Sequence, residues 1–433
     1  MRHYITDDGS TESISIDLGH MFGTVNIVRI LAEISESLTP QFFGIKKGGS
    51  ISSDLIIKGE RVFFSCCDGN FYCIDAKTGN EVWRFSASDV MSSFEMDEDM
   101  IFASCFDKNL YALSLEGKLF WKFPTKGKLG NNPIIWEDKI YFGCEDGNMY
   151  CVDRNGGLVW KYGTNAPISA IPKIYNGTLY FGNFDGSFFA LDADTGEPNW
   201  KFRCNSPTGG CEIYNDTILI PATNKILYAL DLDGKIKWTY KSSVLLAPNI
   251  RSGLYKGKIF MGNRGKTMTA INIKDGTVAW EFPTMEMTFS YSKLKDGILY
   301  FGSCDTNFYA VDASTGKKLW HFAATGPNVG SVEVTEDKVY FGSWDCHVYC
   351  LDRNNGRLVW KFQTSMSNMS DYEVDTRADK EELTVIIPAT ENDADEERPK
   401  DEVTIADYGE FSGAYIDTTK TDYLGLKKKG YVK

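Results

Sequence analysis

The chain is 433 residues long, 42% hydrophobic and acidic, with 46 Lys+Arg against 59 Asp+Glu and a net charge of −13. Residues 371–402 hold 13 Asp/Glu and 4 Lys/Arg, a net of −9, which leaves −4 for the remainder and no basic stripe to recruit nucleic acid. No run approaches the roughly 18 apolar residues of a membrane-inserted helix, and eleven cysteines behind an N-terminus without an apolar signal core imply reduced thiols in a cytoplasmic protein.

Residues 1–50 read as an N-terminal cap and closure segment. Within Val25–Ser37, Ile27, Ile30, Leu31 and Ile34 follow a helical spacing and predict a short amphipathic helix. Gln41–Ser53 parallels a later outer-strand phrase, with Phe42 in place of tryptophan, and is expected to help seal a ring.

Residues 51–362 are a repeat array. Trp83, Trp121, Trp160, Trp200, Trp238, Trp280, Trp320 and Trp360 follow one another at gaps of 38, 39, 40, 38, 42, 40 and 40 residues. A period of this size marks a repeat architecture. Within the unit ending at Trp160, Asn132–Ile135, Lys139–Gly143, Met149–Asp153 and Leu158–Tyr162 are short apolar or aromatic runs, broken by Asp146-Gly147 and Asn155-Gly156-Gly157. Such runs between Asp-Gly and Asn-Gly turns predict four antiparallel strands, one propeller blade. Gly79, Gly196, Gly276, Gly316 and Gly356 sit at the turn before each outer strand, where positive φ is needed. Asp75, Asp153, Asp192, Asp231, Asp312 and Asp352 precede that turn and can accept from its amides. A small slot recurs at Cys73, Ala112, Cys151, Ala190, Ala229, Ala270, Ala310 and Cys350, which suits close sheet-to-sheet contact. The tryptophans then dock between blades, because one blade cannot cover both of its faces.

The phrase Ala-x-Asp-x-x-Thr-Gly-x-x-x-Trp, complete in Ala190–Trp200 and Ala310–Trp320, resembles the docking motif of the pyrroloquinoline-quinone-type (PQQ-like) β-propeller repeats. Ser114 and Asn272 replace the aspartate in two copies. The resemblance implies an all-β, eight-bladed β-propeller of four-stranded antiparallel blades, with an N-terminal cap and a C-terminal extension. One branch of that family consists of periplasmic alcohol dehydrogenases using the quinone and a divalent metal. Another, which includes a propeller lipoprotein of outer-membrane assembly, binds proteins without catalysis.

Few residues suggest chemistry. Cys66-Cys67 resembles the vicinal cysteine pair of the quinone enzymes but stands in a blade turn, the wrong position for that role. Cys66, Cys105 and Cys144 share one slot in adjacent blades, and sheets stack at about 10 Å, too far apart for three sulfurs to meet at a zinc. Asp68, Asp107, Asp146, Asp185, Asp305 and Asp345 recur as turn formers. No metal or cofactor ligand set is therefore assigned.

Departures from the repeat are more informative. Blade 5 has Ile218–Asn224 in place of Tyr-Phe-Gly, and blade 6 places Arg264 and Lys266 in a turn. Met285, Met287, Phe289 and Tyr291 follow as an adaptable apolar surface. The rim of blades 5 to 7 is thus the candidate partner-binding region. Residues 363–433 form an acidic extension; Leu383–Ile387 is a candidate edge strand, Asn392–Glu402 is expected to be flexible, and Tyr423 with Lys427, Lys428 and Lys429 makes a candidate docking tail. The expected function is a non-catalytic scaffold for a protein or peptide partner, without cofactor, nucleic acid or membrane insertion. The alternatives are a PQQ- or metal-dependent oxidoreductase and a small-molecule or glycan-binding sensor.

Overall fold

A computed structural model describes residues 49–364 except 52, 169, 205, 248–252 and 289–290, together with the short strands His3–Ile5, Thr11–Ile16, Thr384–Ile386, Glu402–Thr404 and Leu426–Tyr431. The described residues hold strands and no helix. The expected helix at 25–37, Phe42, Phe289 and Tyr423 lie outside them. The chain divides into two units, Lys47–Met369 and Met1–Lys46 with Ser370–Lys433.

The first unit is an eight-bladed β-propeller of antiparallel blades. Blade 1 runs from inner to outer strand as Leu55–Lys58, Arg61–Ser65, Asn70–Asp75 and Glu81–Ser86. Blade 8 runs as Val332–Val334, Lys338–Gly342, His347–Asp352 and Leu358–Gln363. Blade 6 shows Lys258–Gly262, Thr267–Asn272 and Val278–Pro283, with a Tyr255–Lys258 bridge ahead of them and residues 248–252 undescribed. Eight apolar clusters form the core, each shared by two neighbouring blades. The second strands supply the apolar bulk: Val62, Phe63 and Phe64 of blade 1 are at most 1% exposed.

The small slot has a geometric reason. Cys73, Ala112, Cys151, Ala190, Ala229, Ala270, Ala310 and Cys350 each lie directly across the ladder from a tryptophan. Each indole N–H donates to a carbonyl of the next blade at 2.8–3.2 Å. Each ring also covers the turn glycine of that blade so closely that an added Cβ would come within 2.5–2.9 Å of it. These glycines hold φ near +75°, as at Gly79 (+74°) and Gly196 (+74°). The turn aspartates accept as expected: Thr195 N reaches Asp192 at 2.8 Å and Thr315 N reaches Asp312 at 2.8 Å. In every blade the residue before the tryptophan is a β-bulge, which twists the outer edge away from edge-to-edge pairing.

In the second unit, Thr11–Ile16 pairs antiparallel with His3–Ile5 on one side and Leu426–Tyr431 on the other. Within that ladder the candidate docking-tail residues Lys427, Lys428 and Lys429 pair their backbones opposite Ser15, Ile14 and Ser13. Alternation of strand-forming residues in Thr11–Ile16 favours that ladder over a solvated end. Thr384–Ile386, inside the candidate edge strand, pairs with Glu402–Thr404 rather than with a blade.

Candidate functional site

The inner strands come first, because a cofactor in a propeller would face them. Lys173, Glu212, Lys293 and Glu333 occupy one register, opposite Tyr180, Leu219, Tyr300 and Tyr340 on their second strands. They join neighbouring blades as ion pairs, Lys173–Glu212 at 3.0 Å and Lys293–Glu333 at 2.9 Å. Near the start of the inner strands, the Asn132 amide of blade 3 donates to the Asp54 carboxylate of blade 1 and to the Phe94 carbonyl of blade 2, the latter at 3.0 Å. Sequence reasoning missed this link, since its ends are 78 residues apart and follow no repeat. A quinone with several carboxylates needs cationic groups turned toward it and a metal ligand set beside it. These lysines are bonded to neighbouring carboxylates instead, and the described residues hold no group of three or more His, Cys, Asp or Glu able to bind a metal. Among the described residues, this set does not fit the quinone.

The cysteines do not suit nucleophilic chemistry. None of the eleven is joined to another in a disulfide, and nine of them are buried. Burial pushes the Cys66 thiol well up, and the thiols of Cys105 and Cys144 up to about 12. At neutral pH these groups stay protonated, whereas attack and metal ligation require the thiolate.

The second-to-third turns carry the sharpest departure from the repeat. Antiparallel order puts these turns and the outer-to-inner connectors at the same end of every blade. In six blades the turn is built on aspartate. Asp68 accepts from Asn70 N at 2.9 Å and from the Tyr72 hydroxyl at 2.6 Å. Asp305 repeats this with Asn307 N at 2.9 Å and the Tyr309 hydroxyl at 2.8 Å. It also takes Met285 N of the incoming connector at 2.9 Å. Asp345 is the most enclosed, its side chain 3% exposed. Burial works to raise its carboxyl, but donors on His347, Thr325 and Tyr349 overcome this and bring it down to about 2. Blades 5 and 6 have Asn224 and Gly265 in that position.

The residue after the aspartate always holds left-handed φ. It is glycine at Gly69, Gly147 and Gly186, but Lys108 (+71°), Lys225 (+66°) and Lys266 (+62°) occupy it in blades 2, 5 and 6. The carbonyls of Lys225 and Lys266 take the connector amides Ser242 N at 2.9 Å and Thr284 N at 2.7 Å. Arg264 N donates to the Leu245 carbonyl at 2.9 Å. An unbroken set of hydrogen bonds thus joins the turns of blades 5, 6 and 7 through their connectors.

Of the residues singled out in the sequence, Arg264, Lys266, Met285 and Met287 are brought together here. The Lys266 ammonium pairs with Glu286 at 2.8 Å, Met285 is 76% exposed, and the Met287 carbonyl accepts Cys304 N at 2.9 Å. Tyr291 stands apart, half-buried ahead of the inner strand Lys293–Lys295 of blade 7. Lys225, and Lys241 at the end of its blade's outer strand, belong to the same rim. Aligning the turn triplets Thr223-Asn224-Lys225 and Arg264-Gly265-Lys266 is the signal that finds Lys225.

Comparison with known proteins gives the same architecture. The outer membrane protein assembly factor BamB of Burkholderia pseudomallei (strain K96243) is 28% identical over 92 residues, which cover 21% of this chain and 24% of that protein. The aligned part is thus about a quarter of that relative's length. The crystal structure of BamB from Moraxella catarrhalis superposes with a TM-score of 0.58 at 18% identity, covering 68% of this chain and 94% of that one. A quinohemoprotein alcohol dehydrogenase of Pseudomonas putida HK5 superposes with a TM-score of 0.56 at 12% identity, covering 70% of each chain. At such identities both likenesses speak to fold alone. A family profile described as outer membrane protein assembly factor BamB matches residues 35–169, 145–294 and 290–394, so the chain belongs to that family of PQQ-like propeller proteins.

Proposed function

We propose that this propeller is a non-catalytic scaffold that binds a protein or peptide partner on the face bearing its second-to-third turns. The observation that carries this reading is the coincidence at blades 5 to 7 of three departures from the repeat. The turn aspartate is lost at Asn224 and Gly265, Arg264 and Lys266 bring positive charge, and Met285 lies 76% exposed. Flexible, polarizable methionine beside charge suits adaptable protein recognition. Membership of a family described by an assembly factor supports the same class of role. The assembly named for the relatives is theirs. We also propose a reducing, cytoplasmic setting, supported by eleven cysteines of which none is joined to another in a disulfide.

Site-specific photo-crosslinking tests the reading. A benzoylphenylalanine in place of Met285 should capture a discrete polypeptide in the native source. The same group in place of Ile236, an exposed residue on the outer strand of blade 5, should not. Equal labelling at both positions, or saturable binding of the quinone with calcium in equilibrium dialysis, overturns it.

A further inference from the structure

We propose that the turns of blades 5 and 6 form a cationic notch in the rim, and that the notch takes an acidic, extended peptide segment of the partner. The inference rests on the scaffold reading and deepens it by naming the chemistry recognised. Compare the three residues of each second-to-third turn. Blades 1, 4, 7 and 8 carry Cys-Asp-Gly, Phe-Asp-Gly, Cys-Asp-Thr and Trp-Asp-Cys, each with one negative charge. Blade 3 carries Glu-Asp-Gly with two, and blade 2 carries the neutral Phe-Asp-Lys. Only blades 5 and 6 are positive, with Thr-Asn-Lys and Arg-Gly-Lys. Lys241 adds to them, and Glu286, bonded to Lys266, is the acid facing them from the next connector.

One physical argument favours a ligand over chance variation. Left-handed side chains do not carry it, since Lys108, Thr306 and Cys346 hold φ +71°, +70° and +66° in blades 2, 7 and 8 just as Lys225 (+66°) and Lys266 (+62°) do in blades 5 and 6. The missing negative charge does: elsewhere in the ring the aspartate ties the turn, a tyrosine and the incoming connector together. At blade 6 its place is taken by Gly265, packed so near Val244 that an added Cβ would come 2.9 Å from that side chain. Both turns thus exchange a carboxylate for a lysine; in blade 5 Asn224 keeps the ties without the charge, donating to the Tyr228 hydroxyl at 2.9 Å and the Cys204 carbonyl at 3.1 Å and accepting from Ile226 N at 3.2 Å.

The extent of the notch selects the ligand. It spans two blades and is flanked by Asp185 of blade 4 and Asp305 of blade 7. A long polyanion such as nucleic acid would run on into those carboxylates and be repelled. A short run of Asp and Glu with apolar residues between them fits the cations and can set a side chain on Met285.

The test uses the full chain and a fluorescent synthetic dodecapeptide alternating acidic residues with leucine, read by anisotropy. The expected result is saturable binding that weakens as salt rises from about 50 to about 300 mM. Asn224→Asp with Lys225→Gly rewrites the turn of blade 5 into the Asp-Gly of blades 1, 3 and 4. It should lower affinity about tenfold or more while leaving the melting temperature equal or higher. If that variant melts early, Lys266→Gly alone serves as the second reading, with the same expected loss. Undiminished binding by a well-folded variant overturns the proposal. So does equal binding of a lysine-leucine peptide, or of a single-stranded oligonucleotide of matched charge. Capture at Met285 together with failure here leaves the scaffold reading standing and removes only the acidic class of partner.

Discussion

The indole N–H of Trp360 donates to the carbonyl of Ala76 at 3.1 Å, across 284 residues of chain. The seven earlier tryptophans each reach a carbonyl 32 to 35 residues ahead, so the last repeats their contact with the first blade and closes the ring. Blade 1 and blade 8 each hold their own four strands, so no strand is exchanged across the seam. Ile51 N to the Ser343 carbonyl at 3.2 Å and the Phe64–Phe362 ring contact at 6.1 Å complete it.

Replacing Trp200 or Trp360 with alanine should therefore cost about the same, roughly 3–5 kcal/mol, as for other large aromatics in packed interfaces. The two rings make equivalent contacts, one in mid-array and one at the seam. Urea melts of both variants check this. A Trp360 variant that loses less than about 1 kcal/mol would show that the seam is held by something other than the docking contact.

The turn glycines separate backbone strain from steric collision. Gly79 has φ +74°, and a Cβ on it would meet the Trp360 ring at 2.8 Å; Gly59 has φ +60° with nothing within 4 Å. Gly59→Ala should cost only the left-handed penalty, about 1 kcal/mol. Gly79→Ala should cost clearly more, about 3 kcal/mol, because the indole must also shift. Equal losses in parallel melts would mean that the tryptophan does not rest on the turn.

Much of this fold was legible in the sequence because each repeat position serves one local purpose. Trp200, Gly234 and Ala190 are read from spacing, since a ring that docks on the next turn needs glycine beneath it and a small residue across the ladder. Contacts without a period were not legible. Asp54 meets Asn132 over 78 residues, and Thr11–Ile16 finds its partner at Leu426–Tyr431. Arg264 and Lys266 were visible as exceptions, but Lys225 was hidden by the irregular strand around Pro221, and register alone places it level with Lys266.

Asp345 should confer acid-dependent stability. Its folded carboxyl lies near 2, below the ordinary 3.8, so its contribution is complete above about pH 4 and is lost as pH falls toward 2. The shift corresponds to about 2 kcal/mol. Asp345→Asn should cost about that much at pH 7, since Thr325 and Tyr349 at 2.5 and 2.7 Å lose their anionic acceptor. The gap between variant and parent in urea melts should narrow from pH 4 downward. A gap that is constant across that range would assign the loss to packing rather than to charge.

The propeller should fold without the second unit. All eight apolar clusters draw on residues between Ile51 and Phe362, and the seam is made within the same stretch. The 13 acids of 371–402 cannot supply much core. A fragment of residues 47–369 should therefore melt within a few degrees of the full chain and elute as a monomer. The pairing of Thr11–Ile16 with Leu426–Tyr431 would be lost with no effect on the blades. An early melt or a soluble aggregate would show that the removed segments protect the ring, as expected if an outer edge had been covered by added strands. In that case removal of 371–433 alone, with residues 1–46 retained, decides which terminal segment does so.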